Sequence, residues 1–175
     1  MSCFGRRQNG NRVGNAESEV CNVIHKDTTY QLWSWFSQEG DGIMKRNPNG
    51  GKVSCDGRDQ NSDHQNTYAT TRDKTQGTND PPCYAFLFDK KYAMKGSGKG
   101  QSITTVGTNS SDYKGKSVVF EPQYCGAFTM LKLYDTDLYV GCDRKGVTTL
   151  MESVDHTNPS PKILFLAEKV ISKDN

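Results

Sequence analysis

The sequence predicts an all-β protein, an antiparallel sandwich or barrel that is followed by one short amphipathic helix. Apolar residues make up only 33% of the 175 residues, and the mean hydropathy is −0.78, so apolar segments are short and separated by polar loops. In the second half, β-branched and aromatic runs recur roughly every 10–15 residues between turn signals, which is typical of antiparallel sheets. The length suits one domain of about 100–200 residues, so we expect a single domain over residues 1–175.

The first half of the chain contains few predicted strands. Residues 30–36 (YQLWSWF) are rich in aromatic side chains, a composition that favours a strand. The NPNGG segment at 47–51 is a turn signal, because proline fixes one dihedral and glycine supplies positive φ. Residues 56–82 are almost wholly polar, so we expect a long polar excursion with at most a weak strand at 67–70.

The second half of the sequence contains a regular succession of predicted strands. Apolar runs are separated by polar turns such as GSGKG, and this pattern indicates hairpins rather than helices. The predicted strands are residues 83–88, 92–94, 102–106, 117–120, 125–134, 138–142 and 147–151. No sequence repeat of roughly 20–50 residues is visible, which argues against propeller, solenoid and trefoil folds.

The last segment of the chain changes its periodicity. Ser160 is a suitable N-cap, and Pro161 suits the first helical position. The apolar residues that follow are spaced i, i+3, i+4 and i+7, namely Ile163, Leu166, Ala167 and Val170. This spacing predicts a C-terminal amphipathic helix of about two turns.

Composition and charge exclude two classes of protein. No apolar run approaches the length of about 18 residues that a membrane-spanning helix needs. The net charge of +2 is too small for nucleic-acid binding by bulk electrostatics, and the basic residues are scattered rather than clustered. We therefore expect a monomer with neither a nucleic-acid nor a membrane partner.

Cysteine usage indicates an oxidising compartment. The six cysteines lie far apart and include no C-x-x-C pair, unlike the ligands of most zinc sites. They are Cys3, Cys21, Cys55, Cys83, Cys125 and Cys142. We expect three disulfides in a secreted, extracellular protein, whose mature chain carries an added initiator Met, while spacing alone leaves the connectivity open. The alternative is a cytosolic protein with six buried thiols.

No constellation of residues predicts catalysis or a cofactor. His25, His64 and His156 each lie near an aspartate in a polar segment, but nothing in their spacing defines a nucleophile with its base. None of the three lies within a convincing strand, so we expect no haem and no metal. The protein is therefore expected not to be an enzyme, and a small secreted hydrolase is the weakest alternative.

The end of the chain carries a resemblance to a known family. FTMLKL, YDTD, LYVGC, VTTLM and NPSPKILFLAEKVI follow one another between residues 125 and 171. This order resembles the C-terminal part of a lipocalin, where hairpin strands and a Pro/Ser-rich linker lead to a helix packed outside the barrel. The CYAF segment at 83–86 resembles the second lipocalin strand. In size and cysteine content the chain resembles secreted salivary lipocalins of blood-feeding arthropods, namely ticks and triatomine bugs.

The resemblance covers roughly half of the chain, and two features of the family are missing. Lipocalins usually carry Gly-x-Trp in their first strand, but Gln31 stands two positions before Trp33 here, and Trp35 is an alternative to that tryptophan. The arginine common after the last strand is replaced by ESVD at 152–155. The resemblance implies an eight-stranded antiparallel up-and-down barrel, with residues 1–27 tied to it by a disulfide. It also implies that Cys142 pairs with Cys3 or Cys21.

The function implied by the resemblance is sequestration of a small host mediator inside the barrel. The ligand would be a biogenic amine such as histamine or serotonin, or an eicosanoid lipid. The candidate lining residues are Trp33, Tyr84, Phe86, Phe88, Phe128, Met130, Tyr134 and Tyr139. An amine would need a carboxylate from Asp89, Glu121 or Glu152, whereas a lipid would need a cation such as Lys132, and the sequence does not decide between them.

The alternative function is that of a secreted β-rich interaction protein, for example an inhibitor of a protease, of platelets or of complement. Such a protein would act through its surface loops rather than through a cavity. The long polar region at 56–82 favours this hypothesis, because binding loops often depart from the scaffold in this way.

Overall fold

The computed structural model describes residues 23–153, 155 and 157–171 as one sheet of twelve antiparallel strands. The strands are β1 (Thr29–Ser34), β2 (Ile43–Arg46), β3 (Val53–Gly57), β4 (Ala69–Asp73), β5 (Tyr84–Phe88), β6 (Tyr92–Lys95), β7 (Thr104–Gly107), β8 (Phe120–Cys125), β9 (Phe128–Leu133), β10 (Leu138–Cys142), β11 (Thr148–Glu152) and β12 (Phe165–Lys169). One short helix, α1 (His64–Thr67), precedes β4.

Six of the strands pair in a closed cycle. β1 pairs with β4, β4 with β5, β5 with β8, β8 with β9, β9 with β12, and β12 returns to β1. The other six strands form three hairpins, β2–β3, β6–β7 and β10–β11. The chain therefore repeats one four-strand unit three times, and each unit gives its first and last strands to the ring. This arrangement is a β-trefoil.

The predicted eight-stranded lipocalin barrel is wrong. The all-β class and the strands predicted at 83–88, 125–134, 138–142 and 147–151 are present. The ring, however, has six strands, and a two-strand hairpin separates the first and last strand of each unit. A trefoil is present although the sequence shows no repeat, so the prediction against this fold is also wrong. The first strands of the three units read TYQLWS, YAFLF and FTMLKL, so the units share a path but no sequence motif.

The predicted C-terminal helix is instead a strand. Ser160 does begin a helical turn, since its side chain accepts a hydrogen bond from the Lys162 N–H, but this 3-10 turn ends at Ile163. β12 follows, with Phe165 and Ala167 buried on one face. The same short apolar run fits a period of 3.6 and a period of 2, and pairing with both β1 and β9 decides in favour of the strand.

The polar region at 56–82 is part of the fold rather than a simple excursion. It supplies the end of β3, all of α1 and the whole of β4, which occupies the ring between β1 and β5. The weak strand expected at 67–70 is thus β4, shifted by two residues at its start. Its inward residues are small, Ala69 and Thr71, and both are fully buried. Because the buried positions of β4 hold only an alanine and a threonine, the strand adds little hydropathy and the segment looks polar in the sequence.

The centre of the ring is filled by side chains. Tyr84, Phe86 and Phe88 alternate on the inner face of β5 and join one large apolar cluster that also contains Phe120 and Phe165. The Phe86 and Phe120 rings meet edge to face with their centroids 6.5 Å apart. The opposite face of β5 is buried as well, because Ala85 and Leu87 pack in a second cluster. Burial on both faces explains the continuous apolar run of this strand.

A disulfide joins the first and third units. Cys55 of β3 bonds to Cys142 of β10, 87 positions later in the chain. The Cys55 N–H also donates to the Gly146 carbonyl at 2.8 Å, which holds β3 beside the turn after β10. The expected pairing of Cys142 with Cys3 or Cys21 is therefore wrong, and those two residues lie outside the described part of the chain.

The remaining described cysteines differ from one another. Cys125 is disulfide-bonded, as expected. Cys83 is a free, fully buried thiol, so its assignment to a disulfide was wrong. Burial raises the pKa of the Cys83 thiol to about 11, and the nearby carboxylate of Glu121 adds to the effect.

In the part of the chain that the structure describes, no helix is long and apolar enough to span a membrane.

Removal of the Cys55–Cys142 bond tests its contribution to stability. We expect Cys55→Ser/Cys142→Ser to lose up to about 4–5 kcal/mol, because the bond restricts a long loop in the unfolded chain. Urea unfolding measures the loss, and Cys83→Ala serves as the control that removes a thiol without removing a cross-link. Peptide mapping that joins Cys142 to any other cysteine would contradict the assignment.

The buried thiol makes a separate prediction. Iodoacetamide at pH 8 should leave Cys83 unmodified in the folded protein, because a raised pKa keeps the thiol protonated and the fold keeps it inaccessible. After unfolding in guanidinium chloride without reductant, Cys83 should be alkylated readily. Peptide mass spectrometry quantifies both states, and equal rates in the two would show that the thiol is exposed.

Candidate functional site

An open groove of about 1000 Å³ lies on the outer surface of the trefoil. It forms where the start of β1, the start of β4, the end of β12 and the β5–β6 turn come together. Its lining residues are Asp27, Thr28, Thr29, His64, Gln65, Tyr68, Thr70, Asp89, Lys90, Lys169, Val170 and Ile171. We call it the β1–β4 groove.

One wall comes from α1 and the residue that follows it. The Tyr68 N–H donates to the His64 carbonyl at 3.0 Å, which closes the single helical turn. Residues four apart on a helical turn lie on the same face, and the two rings stack with centroids 4.5 Å apart and planes 16° apart. The tyrosine ring is thus held in place by the imidazole of His64.

A carboxylate behind this wall fixes the imidazole. His64 Nε2 lies 3.1 Å from Asp59 Oδ1, and Gln31 Nε2 donates to the same oxygen at 3.3 Å. The hydrogen bond with His64, followed by that from Gln31, lowers the pKa of Asp59. Burial raises the pKa of Tyr68, with further contributions from the charges of Asp59 and Glu168. The phenol therefore stays protonated at neutral pH and can both donate and accept hydrogen bonds.

The second wall is the tight turn between β5 and β6. Asp89 and Lys90 both adopt positive φ, at 52° and 53°. Gln65 Nε2 donates to Asp89 Oδ2 at 3.0 Å, so the helical wall and the turn are joined across the groove. This hydrogen bond orients the half-buried carboxylate, while the Lys90 amine is exposed beside it.

The floor consists of hydrogen-bonded strands. Thr29 Oγ1 and Thr70 Oγ1 lie 2.9 Å apart, so β1 and β4 are linked by side chains as well as by backbone. The Val170 N–H donates to the Thr29 carbonyl at 2.9 Å and extends the pairing with β12. Asp27 precedes β1 and its N–H donates to the Thr71 carbonyl at 2.9 Å. The floor is therefore held together by hydrogen bonds of both the backbone and the side chains.

The groove combines an aromatic ring with both donors and acceptors of hydrogen bonds. Asp27 and Asp89 are acceptors, and Lys90 and Lys169 are donors. Within the described residues, no group of three or more His, Cys, Asp or Glu side chains is placed to hold a metal ion. The arrangement suits recognition of a ligand that carries several hydroxyl groups and an apolar face.

The structure separates the residues that the sequence predicted as a ligand pocket. Asp89 lies on the groove, whereas Tyr84, Phe86 and Phe88 lie in the packed centre of the ring. Met130 and Tyr139 belong to a third apolar cluster, against which Phe128 packs. Tyr134 packs against the second cluster instead.

The predicted acids and the tryptophan are also dispersed. Glu121 accepts a hydrogen bond from Gln123 Nε2 at 2.8 Å and lies 3.9 Å from Lys132 Nζ. Glu152 forms a surface ion pair with Lys99 at 3.2 Å. The half-buried Trp33 pairs with Leu166 of β12, and its indole N–H has no hydrogen-bond partner among the described residues.

The residues of the helical wall of the groove, and the carboxylate behind that wall, were not predicted as a site from the sequence. Asp59, His64, Gln65 and Tyr68 all belong to the polar region at 56–82. The pair His64 and Tyr68 has the i, i+4 spacing of stacked rings on one helical turn. A tyrosine at that spacing from a histidine, in an otherwise polar segment, was the available signal.

Comparisons with known proteins find the fold but no family. No protein-family model matches the chain, and no curated protein matches it. Among solved structures, the chain is similar to the Polyporus squamosus lectin bound to the human-type influenza-binding epitope Neu5Acα2-6Galβ1-4GlcNAc, with a TM-score of 0.61 and 11% identity over 84% of this chain. It is also similar to the GlcNAcα1-4Gal-releasing endo-β-galactosidase from Clostridium perfringens, with a TM-score of 0.58 and 10% identity over 82% of this chain.

The match covers only part of each of these proteins. The chain spans 50% of the length of the lectin and 33% of the length of the endo-β-galactosidase. At such low identity the likeness extends to the fold and not to individual residues.

Proposed function

We propose that the protein is a non-catalytic carbohydrate-binding module that acts through the β1–β4 groove. The observation that carries the proposal is that the Tyr68 ring and the Asp89 carboxylate line one open groove, each in contact with a neighbouring side chain. His64 fixes the ring and Gln65 fixes the carboxylate. Because neighbouring side chains of the protein hold both groups, binding a ligand costs less conformational entropy.

Sugars require this mixture of groups. A pyranose ring presents hydroxyls, each of which both donates and accepts hydrogen bonds, together with patches of C–H that pack against an aromatic ring. The carboxylates of Asp27 and Asp89 accept such bonds, and the amines of Lys90 and Lys169 donate them. The volume of about 1000 Å³ lies at the upper end of the range for ligand sites, which favours an oligosaccharide.

The fold supports the same proposal. The Polyporus squamosus lectin, which has been solved with a bound glycan, shares the fold of this chain. The buried Cys55–Cys142 bond is compatible with an oxidising compartment, so we propose an extracellular site of action, where glycans are available.

This proposal develops the alternative of a protein that acts at its surface. Binding of an amine or a lipid mediator stays a prediction, and the residues suggested for it do not form one site. Asp89, Glu121 and Glu152 lie in three separate places, and the aromatic residues of β5 fill the core.

A glycan array probed with the full, disulfide-intact chain tests the function, and calorimetry with the best oligosaccharide measures its affinity. We expect Tyr68→Ala and Asp89→Asn each to weaken binding about tenfold or more. Loss of a ring contact or of a charged hydrogen bond costs about 1–3 kcal/mol, and 1.4 kcal/mol is a factor of ten.

Matched controls separate a binding effect from a folding effect. Asp135→Asn changes an aspartate that also adopts positive φ, at 60°, in the turn after β9. Tyr113→Ala removes a half-buried tyrosine that packs beside Lys74. Both controls should bind like the unaltered protein. Failure of every glycan to bind, or equal affinity for Tyr68→Ala and Tyr113→Ala, would refute the groove as a carbohydrate site.

A further inference from the structure

A second exposed feature lies at the other end of β1. Trp35 directly follows the last residue of that strand and is 55% exposed. Its ring meets Phe128 edge to face, with centroids 5.1 Å apart and planes at 65°. The backbone N–H of Trp35 donates to the Leu164 carbonyl at 3.0 Å. The tryptophan is therefore held at both its backbone and its ring, although about half of the residue's surface is accessible to solvent.

Two cations lie beside the next aromatic residue. The Arg144 Cζ atom is 5.5 Å from the centroid of the Phe36 ring, and the Lys162 Nζ atom is 5.7 Å from it. Both distances are within the range of a cation–π contact. Both cations are exposed, and neither forms an ion pair with another residue that the structure describes. Their charges are therefore available to a partner.

The loops that carry these cations are ordered by local hydrogen bonds. Asp143 Oδ1 accepts from the N–H groups of Lys145 and Val147, each at 2.9 Å, which holds the turn containing Arg144. The Gln38 N–H donates to the Arg144 carbonyl at 2.9 Å and ties that turn to the chain after Phe36. The Ser160 hydroxyl caps the 3-10 turn that carries Lys162.

We propose that Trp35, Phe36, Phe128, Arg144 and Lys162, here named the Trp35 face, form a docking surface for a protein partner. The partner should present an apolar side chain flanked by acidic residues. Tryptophan and arginine are the residues that contribute most often to the energetic centre of protein interfaces. The unneutralised positive charge selects an acidic partner and speeds its encounter.

The chemistry of the face favours a protein over a sulfated polysaccharide. A sulfated polysaccharide would engage the two cations through its sulfates, but the C–H face of a pyranose would bury less apolar area on the exposed Trp35 ring than a leucine or phenylalanine side chain. An acidic peptide that carries a leucine or phenylalanine satisfies both features. The face is also separate from the β1–β4 groove, since the six residues of β1 place them about 20 Å apart along the strand.

Selection from a phage-displayed library of random peptides, with the full disulfide-intact chain as bait, tests the proposal. The enriched peptides should contain aspartate or glutamate around an aromatic or aliphatic residue. Synthetic copies should bind at least tenfold more weakly to Trp35→Ala and to Arg144→Glu/Lys162→Glu. Their affinity for the unaltered protein should fall as salt is raised, because exposed charges are screened.

Two control variants separate this face from general charge and from the groove. Arg58→Glu/Lys114→Glu reverses two exposed cations elsewhere and should bind the peptides like the unaltered protein. Tyr68→Ala disables the proposed glycan site and should also leave peptide binding intact. Glycan binding by Trp35→Ala should in turn be unchanged, so failure of one proposal does not decide the other.

Three outcomes would overturn the inference. They are the absence of any enriched peptide, peptides that bind Trp35→Ala as well as the unaltered protein, and binding of heparin that depends on Trp35 while acidic peptides do not bind. Near-UV circular dichroism and urea unfolding show whether each variant is folded. Because Trp35 is largely exposed, its truncation should leave the unfolding midpoint within the range of ordinary surface substitutions.

Discussion

The pairing of β12 with both β1 and β9 is the interaction on which the rest of the structure depends. It joins the last strand to the first over five residue pairs, from Tyr30↔Lys169 to Ser34↔Phe165. Without it the six ring strands would form an open sheet with two exposed edges. Closure also confines the aromatic side chains of β5 to the centre, where they fill the space in which a barrel protein would hold a ligand. The two surfaces that we propose for recognition lie instead on the outside of the fold, at the two ends of β1.

Local sequence patterns predicted those strands in which apolar side chains alternate clearly along the chain. Tyr84, Phe86 and Phe88 alternate so regularly that β5 was evident, and the turn after it was marked by charged residues. The final strand was misjudged because Ile163, Leu166, Ala167 and Val170 also match a helical stripe, and the ambiguity of a short apolar run is resolved only by its partners. The threefold path was hidden for a related reason. A trefoil requires each first strand to bury apolar groups, but it does not require the same apolar groups in each unit.

The candidate site was harder to predict than the fold. Its walls come from four separate stretches of chain, and only the topology brings Tyr68 of the polar region close to Asp89 of a distant turn. Asp89 was selected from the sequence because it ends an aromatic strand, although for a different role. The disulfide was out of reach for the same reason, since Cys55 and Cys142 become neighbours only when β3 packs beside the turn that follows β10. Patterns along the chain report on neighbours in sequence and not on these contacts.

The link between Cys55 and Cys142 has a consequence for the order of events during biosynthesis. Cys55 leaves the ribosome 87 residues before its partner, so its thiol must remain unoxidised, or bonded reversibly, while the second unit and part of the third are made. β1 likewise waits for β12. Contacts between such distant segments slow the folding of a domain, because a long loop must close before they form. The trefoil therefore acquires its native structure only once β12 has been made, rather than unit by unit, and a disulfide formed early with a wrong partner would have to be exchanged before Cys55 can bond to Cys142.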